Sequence, residues 1–553
     1  MINCLLFSIL LTGGCSKKSD MNNLDATPIA LSVSSASIND VQIDLADAIR
    51  FTVSPTIKIR MNNSVDRSTV STAITLSANG NSNTSLNFSF ENNDSTIVLK
   101  PASALSYLSR YQIQVNNTLK SVKNGLLNGV FNFSFNTKFD STDKFPKISD
   151  DALLDLVQQK TFKYFWDFGH PISGLARERN ASGDIETSGG SGFGIMAIPV
   201  AIHRNFITRE QGLQRMATIV DFLKTKAQKF HGAFPHWLNG ATGVVVPFST
   251  KDNGADLVET SYLVAGLWAA REYFNNSTPA EIALRTDINT ICDAVEWNWF
   301  QQNNQDVLYW HWSPNYNWEM NHKIIGWNEC LITYIMAASS NKYAIPASVY
   351  HKGFAANGAM INNKTYFGYT LPLGPSNGGP LFWAHYSFLG INPNGLKDQY
   401  ADYQQQVFNH TKINYEYCKL NPKKFYGYSK NCWGLTASDI PNGYSANEPN
   451  NDIGVISPTA ALSSFPYTPT ESMQALQFFY YTLGDKIFTD YGFMDAFKLQ
   501  SNWYSNTTLA IDQGPIIVMI ENHRSQLIWN LLSNCSEVKR GMTKLGFTAP
   551  YIN

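Results

Sequence analysis

Between residues 28 and 138 the chain alternates. Ile57-Lys58-Ile59-Arg60-Met61, Tyr111-Gln112-Ile113-Gln114-Val115 and Phe131-Asn132-Phe133-Ser134-Phe135 each put apolar side chains on one face of an extended backbone, and clusters of Asn, Ser and Gly separate such runs. A period of two with frequent turn signals predicts a small all-β sandwich. After a linker at 139–149 the period becomes helical. Thr208 and Gln211 make a capping-box pattern, and Leu213, Met216, Ala217, Val220, Leu223 and Ala227 then follow on one stripe. Phe193 to Ile202 and Ile324 to Ala338 are apolar nearly all round, so those helices must be buried on every side. Buried helices alternating with amphipathic ones predict two concentric rings, an all-α (α/α)6 barrel (toroid) over 150–553. An α-solenoid would show a sequence repeat, and the chain has none.

Composition adds a substrate class. The 553 residues exceed one ordinary core. A formal net charge of −1 gives no electrostatic footprint for nucleic acid. Charged residues are 15 % and aromatics 13 %, with 13 Trp. Most of these rings belong to cores, but Trp and Tyr also offer a flat apolar face with a polar handle, the shape on which a sugar ring stacks.

The first residues read as a targeting segment. Leu5 to Leu11 is too short an apolar run to span a bilayer. Thr12-Gly13-Gly14-Cys15 with Ser16-Lys17-Lys18 resembles a bacterial lipobox, although the preceding segment lacks Lys and Arg and Leu11 sits four residues before the Cys. The expectation is a signal peptide at 1–14, lipidation of Cys15, a tether at 15–27, and an exported lipoprotein in the periplasm or outer membrane that meets the membrane only through its anchor. A plain signal peptide is the alternative. Of the other cysteines, Cys418 and Cys432 could bridge across a loop, which spacing alone does not decide.

Asp252, Asp256 and Glu259 stand at i, i+4 and i+7, one stripe if the segment is helical, with no Lys or Arg on that stripe. Acids favour helix starts in any protein, but Glu259 is already deep in the run. Glu329 opens the apolar stretch to Ala338 and shares a stripe with Ile332 and Met336. Desolvation there would raise its pKa and keep it protonated, as a general acid requires. Aromatic and polar groups crowd the connections between helices, and His236, Trp237, Trp312, Trp327, Asn328, Trp383, His385, Tyr386, Asp439, Tyr444, Asp512 and Gln513 are the candidate substrate contacts. No HExxH or P-loop occurs, Gly189 to Gly194 follows no clear strand, and Ser191 lacks a nucleophile-elbow context.

Ser191-Gly192-Phe193-Gly194-Ile195-Met196-Ala197, Asp252 to Glu259, Gly326-Trp327-Asn328-Glu329-Cys330, Gly379 to Ser387, Ser457-Pro458-Thr459-Ala460-Ala461 and Ile511-Asp512-Gln513-Gly514-Pro515 resemble the glucoamylase-like domain of glycoside hydrolase family 144. Its characterised members are β-1,2-glucanases and sophorose-releasing relatives. The likeness runs from about Leu154 to Leu532. It implies an (α/α)6 barrel, no metal or cofactor, and hydrolysis with inversion. The family's acidic cluster falls on Asp252, Asp256 and Glu259, and a further acid on Glu329. Val65 to Val70, Leu99-Lys100-Pro101 and Phe133 to Thr137 resemble bacterial Ig-like domains.

The expected activity is therefore hydrolysis of β-1,2-glucan or its oligosaccharides. Glu329 is the expected acid, and one of Asp252, Asp256 and Glu259 handles the water. Exo action, with sophorose leaving the non-reducing end, is expected on the idea that the Ig-like domain, joined by a short linker, walls one end of the groove; a spacer that lifts the barrel off the membrane is the other reading of that domain. The alternatives are an endo-β-1,2-glucanase, a glucoamylase-type α-glucan hydrolase, and an inactive glycan-binding surface lipoprotein. The intact acids count against the last.

Overall fold

Alternation along the N-terminal strands is resolved into two facing five-stranded sheets in a computed structural model that describes residues 27–44, 49–78 and 82–552. The expected leader and Cys15 lie outside the described residues. The chain divides into two compact units, Met1–Phe139 and Asp140–Asn553. In the first, β1 (Val33–Ile38), β2 (Val41–Gln42), β4 (Ile57–Met61), β7 (Leu86–Glu91) and β8 (Thr96–Pro101) form one sheet in the order β2-β1-β4-β8-β7. The other, in the order β3-β10-β9-β5-β6, comprises β3 (Arg50–Phe51), β5 (Ile74–Ala78), β6 (Ser82–Thr84), β9 (Arg110–Val115) and β10 (Phe131–Thr137). Ile57, Ile59, Ile97 and Leu99 from one sheet and Leu76, Ile113, Val115 and Phe135 from the other are buried between them, as a period of two requires. A short helix, α1 (Arg67–Ala73), is capped by Asp66.

In the second unit outer and inner helices alternate along the chain. The outer positions are α2 (Asp150–Trp166), α4 (Arg209–Thr225), α6 (Pro279–Asp293), α8 (Ala347–Val349) with its following turn, α9 (Tyr403–Leu420) and α11 (Pro469–Gln477). The inner positions include α3 (Ser188–His203), α5 (Leu257–Tyr273), α7 (Leu331–Ser339), α10 (Pro458–Leu462) and, after α12 (Gly484–Ile487), α13 (Ala510–Arg524). The fourth inner place holds no α-helix; two 3-10 turns, Leu381–Ala384 and Ser387–Leu389, fill it. This is the (α/α)6 toroid, closed by α14 (Leu527–Asn534) and α15 (Ser536–Leu545). The inner helices are buried on every side. By contrast α4 buries one stripe and starts at the complete Thr208–Gln211 capping box. Cys418 and Cys432 are separate buried thiols, not a bridge. No helix among the described residues is long and apolar enough to cross a membrane.

The glycine run of α3 is a packing device. A Cβ on Gly192 would lie 2.2 Å from the Tyr262 carbonyl oxygen, and one on Gly266 would lie 2.2 Å from the Gly192 carbonyl oxygen. Helices α3 and α5 thus cross backbone against backbone, which only glycine permits. Gly266→Ala would drive them apart. Overpacking of this kind costs about 1–3 kcal/mol. We expect a lower thermal midpoint by calorimetry together with a loss of activity, because α3 and α5 carry groups of the site described next.

Candidate active site

Short strands ahead of the inner helices bring the acids together. β14 (Ala255–Asp256) pairs with β15 (His311–Trp312), setting Asp256 opposite His311. β11 (Ile185–Thr187) pairs with β12 (Trp237–Asn239), which continues to β13 (Val245–Val246). The three acids do not share a helical stripe. Asp252 sits in a turn, Asp256 is the N-cap of α5, and only Glu259 is helical, because the strand pairing with β15 holds the backbone extended up to the cap. They converge nonetheless. Asp256 Oδ1 accepts the Val258 and Glu259 amides at 3.0 and 2.9 Å, its ordinary capping role, and its Oδ2 meets His236 Nδ1 at 2.9 Å. His311 Nε2 lies 3.4 Å from Asp252 Oδ2 and 3.7 Å from Asp256 Oδ2. Glu259 Oε2 accepts the Gly189 amide at 2.6 Å and the Thr187 hydroxyl at 3.0 Å. A Cβ on Gly189 would occupy that contact.

The charges divide unequally. Burial would lower His236, but Glu259, Asp256 and Asp252 around it outweigh burial and hold it at about 9, an imidazolium at neutral pH. Asp256 is raised by burial, yet the His236 bond and the nearby His311 carry it below its usual value. Asp252 is pushed up to about 7 by burial and by the charge of Asp256, and its Oδ1 has no partner. Glu259 is also raised, chiefly by burial. His236, Asp252 and Asp256 offer donor atoms within 4.8 Å of one another, a spacing a cation could use. The protonated imidazole already supplies positive charge there.

His236 and Glu259 of this cluster border a cleft of about 470 Å³. Its lining includes His236, Trp237, Phe248, Glu259, Tyr262, Trp310, Glu329, Tyr386 and Tyr444. Glu329 precedes α7 instead of lying on its apolar stripe, because the helix starts only at Leu331. Its carbonyl accepts the Tyr262 hydroxyl at 3.3 Å and the Ser387 hydroxyl, fixing the turn. Burial raises its carboxyl to about 7, with Asp256 and Glu259 adding repulsion. A carboxyl raised to about 7 beside one held below its usual value, as Glu329 is beside Asp256, is suited to general-acid work.

Of the other residues singled out in the sequence, several lie elsewhere. Trp327 is buried against Phe388 and Tyr403, His385 bonds to Ser464, and Gln513 donates to the Phe493 carbonyl. Trp312 packs with His231 and Trp299, and Asn328 accepts the Cys330 amide. Trp383, half-buried, packs beside Gly379 and Phe382 and is not in the lining. Asp439, half-buried, and the buried Asp512 belong to a second acid group with the buried Asp495, and its charges act on Tyr444 and Tyr386. Sequence reading missed Asp495, Glu178, Arg179 and Phe248. An acid between Phe493 and Phe497 is the signal that could have exposed Asp495.

An acid-lined aromatic cleft in a helical toroid defines a glycoside-hydrolase architecture, and relatives agree. The family model described as "Putative glucoamylase" matches residues 321–536, and that of a bacterial Ig-like domain matches 27–137. The structure of an endo-β-1,2-glucanase from Chitinophaga pinensis, solved with sophorotriose and glucose, is 52 % identical with a TM-score of 0.72, covering 73 % of this chain and 100 % of that one. A β-1,2-glucanase from Parabacteroides distasonis is 37 % identical with a TM-score of 0.71, covering 94 % of this chain and 74 % of that one. The exo β-1,2-glucooligosaccharide sophorohydrolase (non-reducing end) of the same species is 46 % identical over 421 residues, 72 % of this chain. This chain spans 58 % of that relative's length. The chain belongs to the glucoamylase-like family of these glucanases, glycoside hydrolase family 144.

Glu329→Gln keeps the side chain's shape and removes its transferable proton. Hydrolysis should fall by about 10²–10⁴-fold, the worth of a general acid, with oligosaccharide binding by calorimetry and the thermal midpoint close to wild type. In the wild type, kcat/KM should decline as pH rises through about 7, where the Glu329 carboxyl loses its proton. A profile flat to pH 9 would contradict the assignment.

Proposed function

We propose that this chain hydrolyses β-1,2-linked glucan, releasing sophorose from the non-reducing end with inversion at the anomeric carbon. The observation that carries the reading is one aromatic cleft lined by both Glu329, whose carboxyl burial raises to about 7, and Glu259 of α5, the member of the acid cluster that reaches it. The resemblance to the sophorohydrolase supports the linkage and the exo mode. Glu329 gives its proton to the departing glycosidic oxygen, directly or through a substrate hydroxyl, as the C1–O bond breaks. Water attacks C1 from the other face, and its proton passes to a carboxylate of the cluster. Glu259 is the member in the cleft lining, with Oε2 held by two donors. His236 lowers Asp252, Asp256 and Glu259 against burial, and its bond to Asp256 orders the cluster. In inverting enzymes the two carboxyls stand about 6.5–9.5 Å apart to admit the water. Trp237, Phe248 and Tyr444 are the faces on which sugar rings stack.

Endo action is the second reading, favoured by the Chitinophaga pinensis relative. Incubation with linear β-1,2-glucan separates the two. Sophorose as the sole early product, first appearing as the α-anomer by NMR, is expected. Mixed oligosaccharides from the full chain would favour endo action, starch hydrolysis would redirect the reading to α-glucans, and initial β-anomer would exclude inversion. The barrel expressed alone from Asp143 should yield mixed oligosaccharides if the Ig-like unit sets product length, and sophorose if it does not.

The same proposal places the enzyme on a membrane through a lipid on Cys15. Cys15→Ser should move the protein from the membrane to the soluble fraction on ultracentrifugation. Retention on the membrane would exclude that anchor.

A further inference from the structure

Strands β16 (Ile361–Tyr366) and β17 (Tyr369–Leu373) form one outlying hairpin, and β18 (Ala437–Ile440) with β19 (Gly443–Ala446) forms another that bears on the cleft. Ala437, Tyr444 and Ala446 of the second line the cleft. Tyr444 stands opposite Asp439 in the hairpin register and is 50 % exposed, its ring open for contact. A two-stranded hairpin of four-residue strands is marginal by itself in water. Something else must hold Tyr444 in place.

That support converges on Asp439. Its carboxylate accepts the Ser505 hydroxyl at 3.3 Å and the Thr507 hydroxyl, and pairs with Arg179 at 3.3 Å. Its main-chain amide donates to Asp495 Oδ2 at 2.6 Å. Asp495 is buried and tied in by its own backbone, the amide donating to Thr507 at 2.9 Å and the carbonyl accepting the Ser457 hydroxyl at 2.6 Å. Its carboxyl lies beside that of Asp512, close enough for each to shift the other's titration; Asp512 sits in the first turn of inner helix α13, and its carbonyl accepts the Thr459 hydroxyl of α10 at 2.8 Å. Asp495 Oδ1 and Asp512 Oδ2 are buried without a hydrogen-bond partner among the described residues. Burial raises both carboxyls, and the neighbouring Asp495 raises Asp512 further, so the surroundings favour the neutral acid where two charges would repel. Arg179, itself paired with Glu178 at 2.9 Å, is the cation facing the group.

We propose that Asp495 is a positioning residue that moors the β18–β19 hairpin to the inner ring and so fixes Tyr444 as a sugar-stacking face of the cleft. It acts through Asp439 and Tyr444 without touching substrate. The inference rests on the glucan-hydrolase reading above for its kinetic arm only.

The test compares Asp495→Asn with Asp495→Leu. Asn accepts the Asp439 amide and donates to Asp512, so the hairpin stays moored; Leu does neither. Asp495→Leu should raise KM for sophoro-oligosaccharides by about tenfold with kcat within about threefold, while Asp495→Asn stays near wild type. Adding Asp495→Leu to Tyr444→Ala should raise KM no further, since both remove the same contact. Amide hydrogen exchange over 437–446 should quicken in Asp495→Leu and not in Asp495→Asn, a reading that needs no substrate. Should Asp495→Leu fail to fold, Thr507→Val, which removes one donor to Asp439, should show the same KM rise and faster exchange. Unchanged KM and exchange, penalties that multiply in the double variant, or an Asn variant as impaired as Leu would each overturn the proposal. Failure of the wild type to cleave β-1,2-glucan would sink the functional reading and leave the exchange test standing.

Discussion

The site depends on one close approach. Helices α3 and α5 touch backbone to backbone at Gly192 and Gly266, and that contact places the Gly189 amide 2.6 Å from Glu259 Oε2. A side chain at any of these glycines would separate the helices or displace the carboxylate. The barrel's inner packing and the orientation of its acid are therefore the same constraint. It also sets the cost of keeping four carboxyls in a confined volume: Glu259 is satisfied by donors at the start of a second helix, Asp256 by its own helix start and His236, and Asp252 and Glu329 are raised to about 7, which lets each hold a proton up to near neutrality.

Much of this was written in the hydrophobic pattern. The alternation in 57–61 and 111–115 gave strands whose inner residues form the sandwich core, and the all-round apolar runs at 193–202 and 324–338 mark inner-ring positions because no other environment satisfies them. Thr208 and Gln211 announced the start of α4 to the residue, although the apolar stripe read on to Ala227 runs past its end at Thr225. Boundaries were less legible. Asp252 and Asp256 look helical by spacing, but pairing between 255–256 and 311–312 keeps that backbone extended, a long-range contact no local period records. Glu329 likewise falls in a turn held by Tyr262 and Ser387.

Aromatic density was a weaker guide than acid placement. Trp327, Trp312 and His385 are embedded in packing, whereas Phe248, which no motif marked, stacks on His236 with ring centroids 4.2 Å apart and lines the cleft. A Trp in a connection is bought by cores and by ligands alike, and periodicity does not tell them apart. Buried acids are different. Nothing in an apolar core rewards a carboxyl without a partner, so Asp495 between two phenylalanines was the more informative residue.

The candidate groups sit at the starts of inner helices and in the segments that lead into them: Asp252 and Asp256 ahead of α5, Glu329 ahead of α7, Asp512 in the first turn of α13, and Tyr444 on a hairpin between α9 and α10. The ring itself contributes Glu259 and otherwise supplies rigidity. Such a division lets descendants lengthen, shorten or re-aim a connection without disturbing the packing that keeps the acids in register. Divergence between chain-end trimming and mid-chain cutting within this family should thus be written in insertions between the helices, while the faces of α3 and α5 that meet at Gly192 and Gly266 stay almost unchanged from one relative to the next.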